Sequence, residues 1–343
     1  MKRHRLLASR LYGCLLTFLF FTLSAEAQTS ASKEWAWMGG SSSACTDGCG
    51  DLEYGHLGVY GTRGVPAPSN LPGSRFGSVT WTDKTGNLWL FGGQGIFDVV
   101  HGDYGNFNDL WQFSPATSEW TWIAGSTSPV TATGSLQRGV YGTLGVPAIG
   151  NIPGVRTGAM SWTDSSGHLW LFGGLGSDSV GNNGWLNDLW QFNPATNEWT
   201  WMSGSSTMIP LQYAKYGRPG VYGTLGTPSP ENVPGSHALG ASWTDSNGNL
   251  WLFGGGGFDA NGNSVDLNDL WKFDPSTTEW TWMAGSDATP STGVLPGIYG
   301  AIGTAAAGNT PGEREQPVNW TDSSGNLWLF GGLAPMRTER MGG

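Results

Sequence analysis

The hexapeptide Leu88-Trp89-Leu90-Phe91-Gly92-Gly93 returns at Leu169 to Gly174, Leu250 to Gly255 and Leu327 to Gly332, with spacings of 81, 81 and 77 residues. Nothing else in the chain constrains its fold as tightly, because a repeat of fixed period is a structural unit that must stack on its neighbours. Other words travel with it. Trp-Thr-Asp begins at Trp81, Trp162, Trp243 and Trp320, and Asn-Asp-Leu-Trp begins at Asn108, Asn187 and Asn268. Glu-Trp-x-Trp follows at Glu119, Glu198 and Glu279, and appears once early, at Glu34. Gly-(Val/Ile)-Tyr-Gly recurs around Tyr60, Tyr141, Tyr222 and Tyr299.

Each unit holds four strand candidates. In the second copy, strand a is Ala159 to Thr163, b is His168 to Phe172, c is Asp188 to Phe192 and d is Glu198 to Met202. Asp164-Ser165-Ser166-Gly167 between a and b suits a type I turn closed by a left-handed glycine. Asn193-Pro194-Ala195-Thr196-Asn197 between c and d puts Pro where its fixed φ fits. In strand b, Leu169 and Leu171 face one way and Trp170 and Phe172 the other, so both faces are apolar and both must be covered. A blade held between two blades meets that demand. The predicted fold is all-β, a propeller of four-stranded antiparallel blades. Composition agrees: 56 glycines among 343 residues supply turns, and 19 of the 20 tryptophans recur at repeat positions as packing residues.

The Gly-Gly after strand b, the Asn-Asp-Leu-Trp strand and the Trp nine residues after its Trp (Trp120, Trp199, Trp280) resemble the kelch motif. The resemblance covers three whole units and most of a fourth. It departs in length, since kelch units run near 50 residues, whereas here a Gly/Pro-rich insert of roughly 30 precedes each strand a. It implies a likeness to exported bacterial long-repeat kelch proteins without assigned activity. Galactose oxidase shares the propeller, but its copper site needs Tyr and His ligands and a Tyr–Cys crosslink. Here His56, His101, His168 and His237 are scattered.

Residues 1–27 read as a signal peptide. Lys2, Arg3, Arg5 and Arg10 precede the apolar stretch Leu11 to Leu23, and Ala25-Glu26-Ala27 offers a cleavage site. A secreted, periplasmic or cell-surface location follows, without membrane insertion. Cleavage removes four of 16 basic residues and one of 26 acidic ones, leaving a net charge of −13 that disfavours nucleic acid. The two remaining cysteines, Cys45 and Cys49, then read as a small disulfide loop.

Residues 28–343 divide into a d strand for the closing blade (34–38), blades at 75–123, 156–202 and 237–283, and a partial blade at 314–332. No Asn-Asp-Leu-Trp follows Gly332. The sequence reads as three complete blades plus a partial fourth, and the expectation is a fragment of a larger ring.

Up-and-down connectivity places the short a–b and c–d turns on one face and the longer b–c and d–a connections on the other. The long-loop face is the expected binding surface. Arg75, Arg156, His237 and Arg314 share one repeat position at the start of strand a, where a basic ring could clamp a carboxylated ligand. Trp185, in a b–c loop, has no tryptophan counterpart and could stack on a sugar ring. Asp259, Asn261 and Asn263 resemble the opening of a Ca²⁺ loop but lack its sixth-position Gly and twelfth-position Glu. No other cofactor is expected. No catalytic constellation stands out, although Asp98, Asp103, Asp178, Asp259 and Asp266 all fall in b–c loops. The expectation is a binding module for a glycan or protein partner, the alternative a carbohydrate-active hydrolase or oxidase-like enzyme using those carboxylates.

Overall fold

The structure is a computed structural model and describes residues 35–42, 55–98, 103–211, 213, 215–290 and 294–333. The signal segment, Cys45 and Cys49 and His101 lie outside the described residues. Two units are distinguished, one ending at Gly39 and one beginning at Gly40. In the first, residues 35–38 form no strand, contrary to the d strand expected at 34–38.

The second unit is all-β, with no α-helix among the described residues. Its second blade shows the plan most fully. Strand a is split into Arg156–Thr157 and Met160–Thr163, and both pieces pair antiparallel with strand b, Leu169–Ser177. Strand b pairs with c, Asn183–Asn193, and c with d, Glu198–Ser203. The third blade repeats this with His237–Ala238, Ala241–Thr244, Leu250–Phe258, Ser264–Asp274 and Glu279–Ala284. In the first blade the same strands are interrupted, giving a four-stranded sheet (Val79–Thr82, Leu88–Phe91, Leu110–Ser114, Glu119–Ala124) and a three-stranded one (Arg75–Phe76, Gln94–Asp98, Asp103–Asn106). In the fourth, Val318–Thr321 pairs with Leu327–Phe330, and Glu315 bridges Leu333.

Strands b and c run well past the predicted ends because the Gly-Gly pair is a bulge inside strand b. The b–c register shifts between Phe172 and Gly174, and Gly173 and Gly174 have φ of 65° and 96°. Glycine is required there twice over. The conformation is left-handed, and a Cβ on Gly173 would stand 2.4 Å from the His237 carbonyl of the next blade. The b–c connections of blades two and three therefore shrink to turns at 178–182 and 259–263, and Trp185 lies on strand c, not in a loop.

The apolar core lies between blades. Trp89, Phe91 and Leu110 of the first pack with Leu171, Phe192 and Trp199 of the second. Trp170, Phe172 and Leu189 pack in the same way with Leu252, Phe273 and Trp280 of the third. Ring centroids repeat almost identically across the two interfaces: Phe91 to Trp199 and Phe172 to Trp280 are both 5.4 Å. Each such aromatic contributes roughly 1.5–3 kcal/mol on full burial.

Strand a is innermost. Adjacent blades are tied near the axis by Gly158 N–H to Gly77 O (2.9 Å), Leu239 N–H to Gly158 O (2.8 Å) and Gln316 N–H to Leu239 O (2.7 Å). The a–b turns match expectation, with Asp83, Asp164, Asp245 and Asp322 accepting from their own turns and from the indole N–H of the strand b tryptophan.

The d–a inserts correct the expected placement of the long connections. Gly145 and Ala148 donate backbone N–H groups to the carbonyls of Trp201 and Trp199, and Gly64 and Ala67 do the same to Trp122 and Trp120. Gly226 and Ser229 repeat this on Trp282 and Trp280. Asn70, Asn151 and Asn232 each donate a side-chain amide to the same Trp carbonyl as well. Each insert thus covers the outer edge of the d strand of the blade it leads into. An uncovered d strand would expose its unpaired backbone to other chains. Much of the extra repeat length closes that edge and does not serve the long-loop face.

Candidate binding face

The repeated basic position was expected to face a ligand. The structure turns it inward. Arg156 is buried and makes a two-pronged pair with Asp188, the Asp of Asn-Asp-Leu-Trp, at 2.7 and 2.8 Å. The same carboxylate accepts from the Tyr141 hydroxyl (2.6 Å) and the Trp190 indole (2.7 Å). Burial opposes ionisation of Asp188, but the guanidinium outweighs it and holds the carboxyl below its ordinary range. Arg75, Asp109, Tyr60 and Trp111 form the same lock in the first blade.

In the third blade His237 replaces the arginine. Its Nδ1 lies 2.7 Å from the Gly235 carbonyl and its Nε2 3.2 Å from Asp269, which also accepts from Tyr222 and Trp271. Burial disfavours the imidazolium, yet Asp269 and the Gly235 carbonyl prevail and raise its pKa. Arg75, Arg156 and His237 are therefore structural keystones. Arg75 and Arg156 each spend four guanidinium hydrogen bonds inside the blade, and both His237 ring nitrogens are engaged there. Arg314 differs: it is half-buried, bonded to the carbonyls of Gly312 and Gly331 and to the Tyr299 hydroxyl at 3.2 Å. Among the described residues it has no carboxylate partner.

Asp259, Asn261 and Asn263 form a turn, not an open oxygen cage. The Asp259 carboxylate accepts from the backbone N–H of Asn261, Asn263 and Thr289 and from the Asn263 side-chain amide. Asp178 in the second blade does the same with Val180, Asn182 and Met208. Four N–H donors on one carboxylate leave little lone-pair density for a cation. No group of three His, Cys, Asp or Glu side chains suited to a metal occurs among the described residues.

Two repeat positions beside the keystones differ from blade to blade. The position after the keystone reads Phe76, Thr157, Ala238 and Glu315 in successive blades, with the Phe76 side chain exposed. The strand c position reads Asn106, Trp185 and Asp266. Trp185 is half-buried against Gly256 of the third blade. A Cβ there would lie 2.8 Å from the indole Cη2 and 1.9 Å from Glu315 Oε1. Glycine at 256 is what admits both side chains. Partial burial, then the charge of nearby Asp266, raise the Glu315 pKa, and burial raises that of neighbouring Glu313.

An indole and a carboxyl thus meet at Gly256, with the Asp266 carboxyl on the same strand pair. Such a set can stack on an apolar face of a ligand and accept or donate hydrogen bonds beside it. Trp185 was visible in the sequence as the lone unmatched tryptophan. Glu315 was not, because its significance depends on the blade next door.

A cavity of about 640 Å³ is lined by strand a residues including Thr80, Ser161, Thr163, Ser242, Thr244 and Asn319. Its hydroxyls are largely committed to the neighbouring blade, as with Ser242 to the Ser161 carbonyl and Thr244 to the Thr163 carbonyl. No helix among the described residues is long and apolar enough to cross a membrane.

No family model matches the chain, and no curated protein does. Among solved structures, that of YjhT is similar at 14% identity and a TM-score of 0.42, over 75% of this chain and 59% of that one. The chain therefore spans less than two thirds of the length of that structure.

Proposed function

We propose that the chain is an exported binding module of kelch type whose long-loop mouth, centred on Trp185, Glu315 and Asp266, takes a glycan or protein partner. One observation carries this reading: the position after the keystone and the strand c position differ from blade to blade, and there Trp185 and Glu315 meet over Gly256. Export rests on the signal-like N-terminus, and the Cys45–Cys49 disulfide on that compartment.

The test is a glycan and protein-ligand screen by thermal shift with the full chain. Trp185→Ala should abolish a hit while the unfolding midpoint of the free protein changes little. A hit unaffected by both Trp185→Ala and Glu315→Gln would place binding elsewhere. A second reading draws on the Asp266–Glu315 contact. A carboxyl whose pKa is raised by burial and a nearby carboxyl is a feature that glycoside hydrolysis employs. Turnover of a bound glycan, lost in Glu315→Gln while binding persists, would favour that enzyme reading over the binding module.

A further inference from the structure

We propose that His237 is a proton-operated latch on the third blade, whose charged imidazole holds the inner strand beside Trp185 in place. Loss of the proton loosens that strand, and the mouth loses its shape. The consequence for ligand binding rests on the function proposed above; the structural change does not.

The surroundings of the ring carry the argument. Nδ1 lies 2.7 Å from the Gly235 carbonyl and Nε2 lies 3.2 Å from a carboxylate oxygen of Asp269. Both neighbours accept hydrogen bonds and neither donates. A neutral imidazole has one N–H and one lone pair, so it satisfies one neighbour and turns the lone pair on the other. Only the imidazolium donates to both. The ring is fully buried, with Phe172 of the second blade 6.2 Å away between centroids, so solvent does not make up for a lost donor. Burial opposes the Asp269 charge, but His237, Trp271 and Tyr222 together hold its pKa low. Arg75 and Arg156 stand at the same repeat position and keep their charge throughout the ordinary pH range. Among the three keystones that hold an aspartate, the one in the third blade is thus the one that titrates.

Few other charges face it. Strand b of its own blade, Leu250–Phe258, and strand b of the second blade, Leu169–Ser177, carry none. Strand c of the second blade brings Asp188, which Arg156 occupies. Tyr222 donates to the Asp269 carboxylate at 2.7 Å. Glu315 and Asp266 lie past Ala238, at Gly256.

The latch reaches the mouth through its own strand. His237 and Ala238 pair with Gly257 and Gly256 of strand b, and Gly256 is the residue against which the Trp185 indole lies. Ser236, one residue before the ring, donates its hydroxyl proton to the Trp185 carbonyl at 2.8 Å. The strand His237–Ala238 is only two residues long, so a lost side-chain bond is a large share of what fixes it.

The experiment uses the full chain labelled with 5-fluorotryptophan, with the Trp185 resonance identified by its loss in Trp185→Phe. Fluorine spectra and hydrogen exchange, corrected for the intrinsic pH dependence of exchange, are recorded from pH 5.5 to 8.5. Protection at residues 236–238 and 255–258 should fall at least about tenfold as pH rises, the loss expected for a charge-assisted hydrogen bond. The matching residues 155–157 and 174–177 of the second blade should keep theirs. The Trp185 resonance should move over the same interval, and His237→Arg should remove both changes.

The proposal is overturned by protection that does not change, by an equal loss in the second blade, or by loosening that leaves the Trp185 resonance fixed. The comparison of the two blades lies within the unmodified sequence, so a misfolded His237→Arg chain cannot obscure it. A Trp185 shift that persists in a folded His237→Arg chain belongs to Asp266 or Glu315 and also overturns the latch. No ligand is used. Failure here leaves the binding role of the mouth untouched, and an empty ligand screen leaves the latch standing.

Discussion

The second and fourth blades begin with nearly the same residues and end in different physical states. Trp162, Trp170 and Phe172 are 3%, 0% and 0% exposed, whereas the matching Trp320, Trp328 and Phe330 are 46%, 49% and 71% exposed. The a–b pairing is the same in both, with Trp162 opposite Trp170 and Trp320 opposite Trp328. Local sequence thus suffices for the hairpin and its Asp-capped turn. Burial does not follow from it. The tryptophans of one blade are covered by strands c and d and by the neighbouring blade. Among the described residues the fourth blade has the a–b hairpin without those partners, and the same positions there are exposed.

The sharpest way to break the comparison is to take from the second blade the aspartate that joins its strand c to its arginine. Asp188→Ala removes the acceptor shared by Arg156, Tyr141 and Trp190 and leaves a buried guanidinium unpaired. A loss of about 3–5 kcal/mol in urea unfolding is expected. A loss under ~1 kcal/mol would show that the lock is not a keystone.

Close behind comes Phe172→Ala, which opens a cavity against Trp280 and should cost about 3–5 kcal/mol. Phe330→Ala in the exposed counterpart should stay within about 0.5 kcal/mol. Equal effects of the two would mean that Phe330 is covered in solution. The inserts allow a milder version. Asn151→Ala removes one of the two donors to the Trp199 carbonyl and the bond to the Val146 carbonyl, and should lower stability by roughly 1–2 kcal/mol, while Asn309→Ala should be nearly silent.

The smallest effect sharpens a different contrast, between Arg156 and His237. The imidazole has a higher pKa folded than unfolded, so its contribution is complete below about 6.5 and is lost as pH rises through the raised folded value. Unfolding midpoints measured between pH 5.5 and 8.5 should decline over the upper part of that range. His237→Arg should flatten the decline, because a guanidinium keeps its charge throughout. A wild-type profile that does not fall with pH would rule out a charged His237.

Much of this architecture was legible beforehand, and the failures are informative. Alternating Leu and Trp in Leu169 to Phe172 announced a strand covered on both faces, and the structure covers both. The ends of strands b and c were missed because Gly173-Gly174 reads as a terminator. It acts instead as a bulge that lets the backbone of the next blade approach. The inserts were read as loops because Gly and Pro dominate them. Their pairing with strand d uses isolated N–H groups, such as those of Gly145 and Ala148, which leave no alternating pattern.

By itself the sequence determined the repeat, the four strands of each blade, the turn chemistry and the aromatic packing positions. All of these are encoded within a few residues by periodicity and backbone preference. Only the tertiary structure decided that Arg75, Arg156 and His237 look inward, since their aspartates lie some 32 to 34 residues away in the chain. It alone brought Trp185, Asp266 and Glu315, from three different blades, to one mouth. Contacts between repeats depend on how the blades pack, and a one-dimensional pattern carries no record of which side chains from separate units will share a volume.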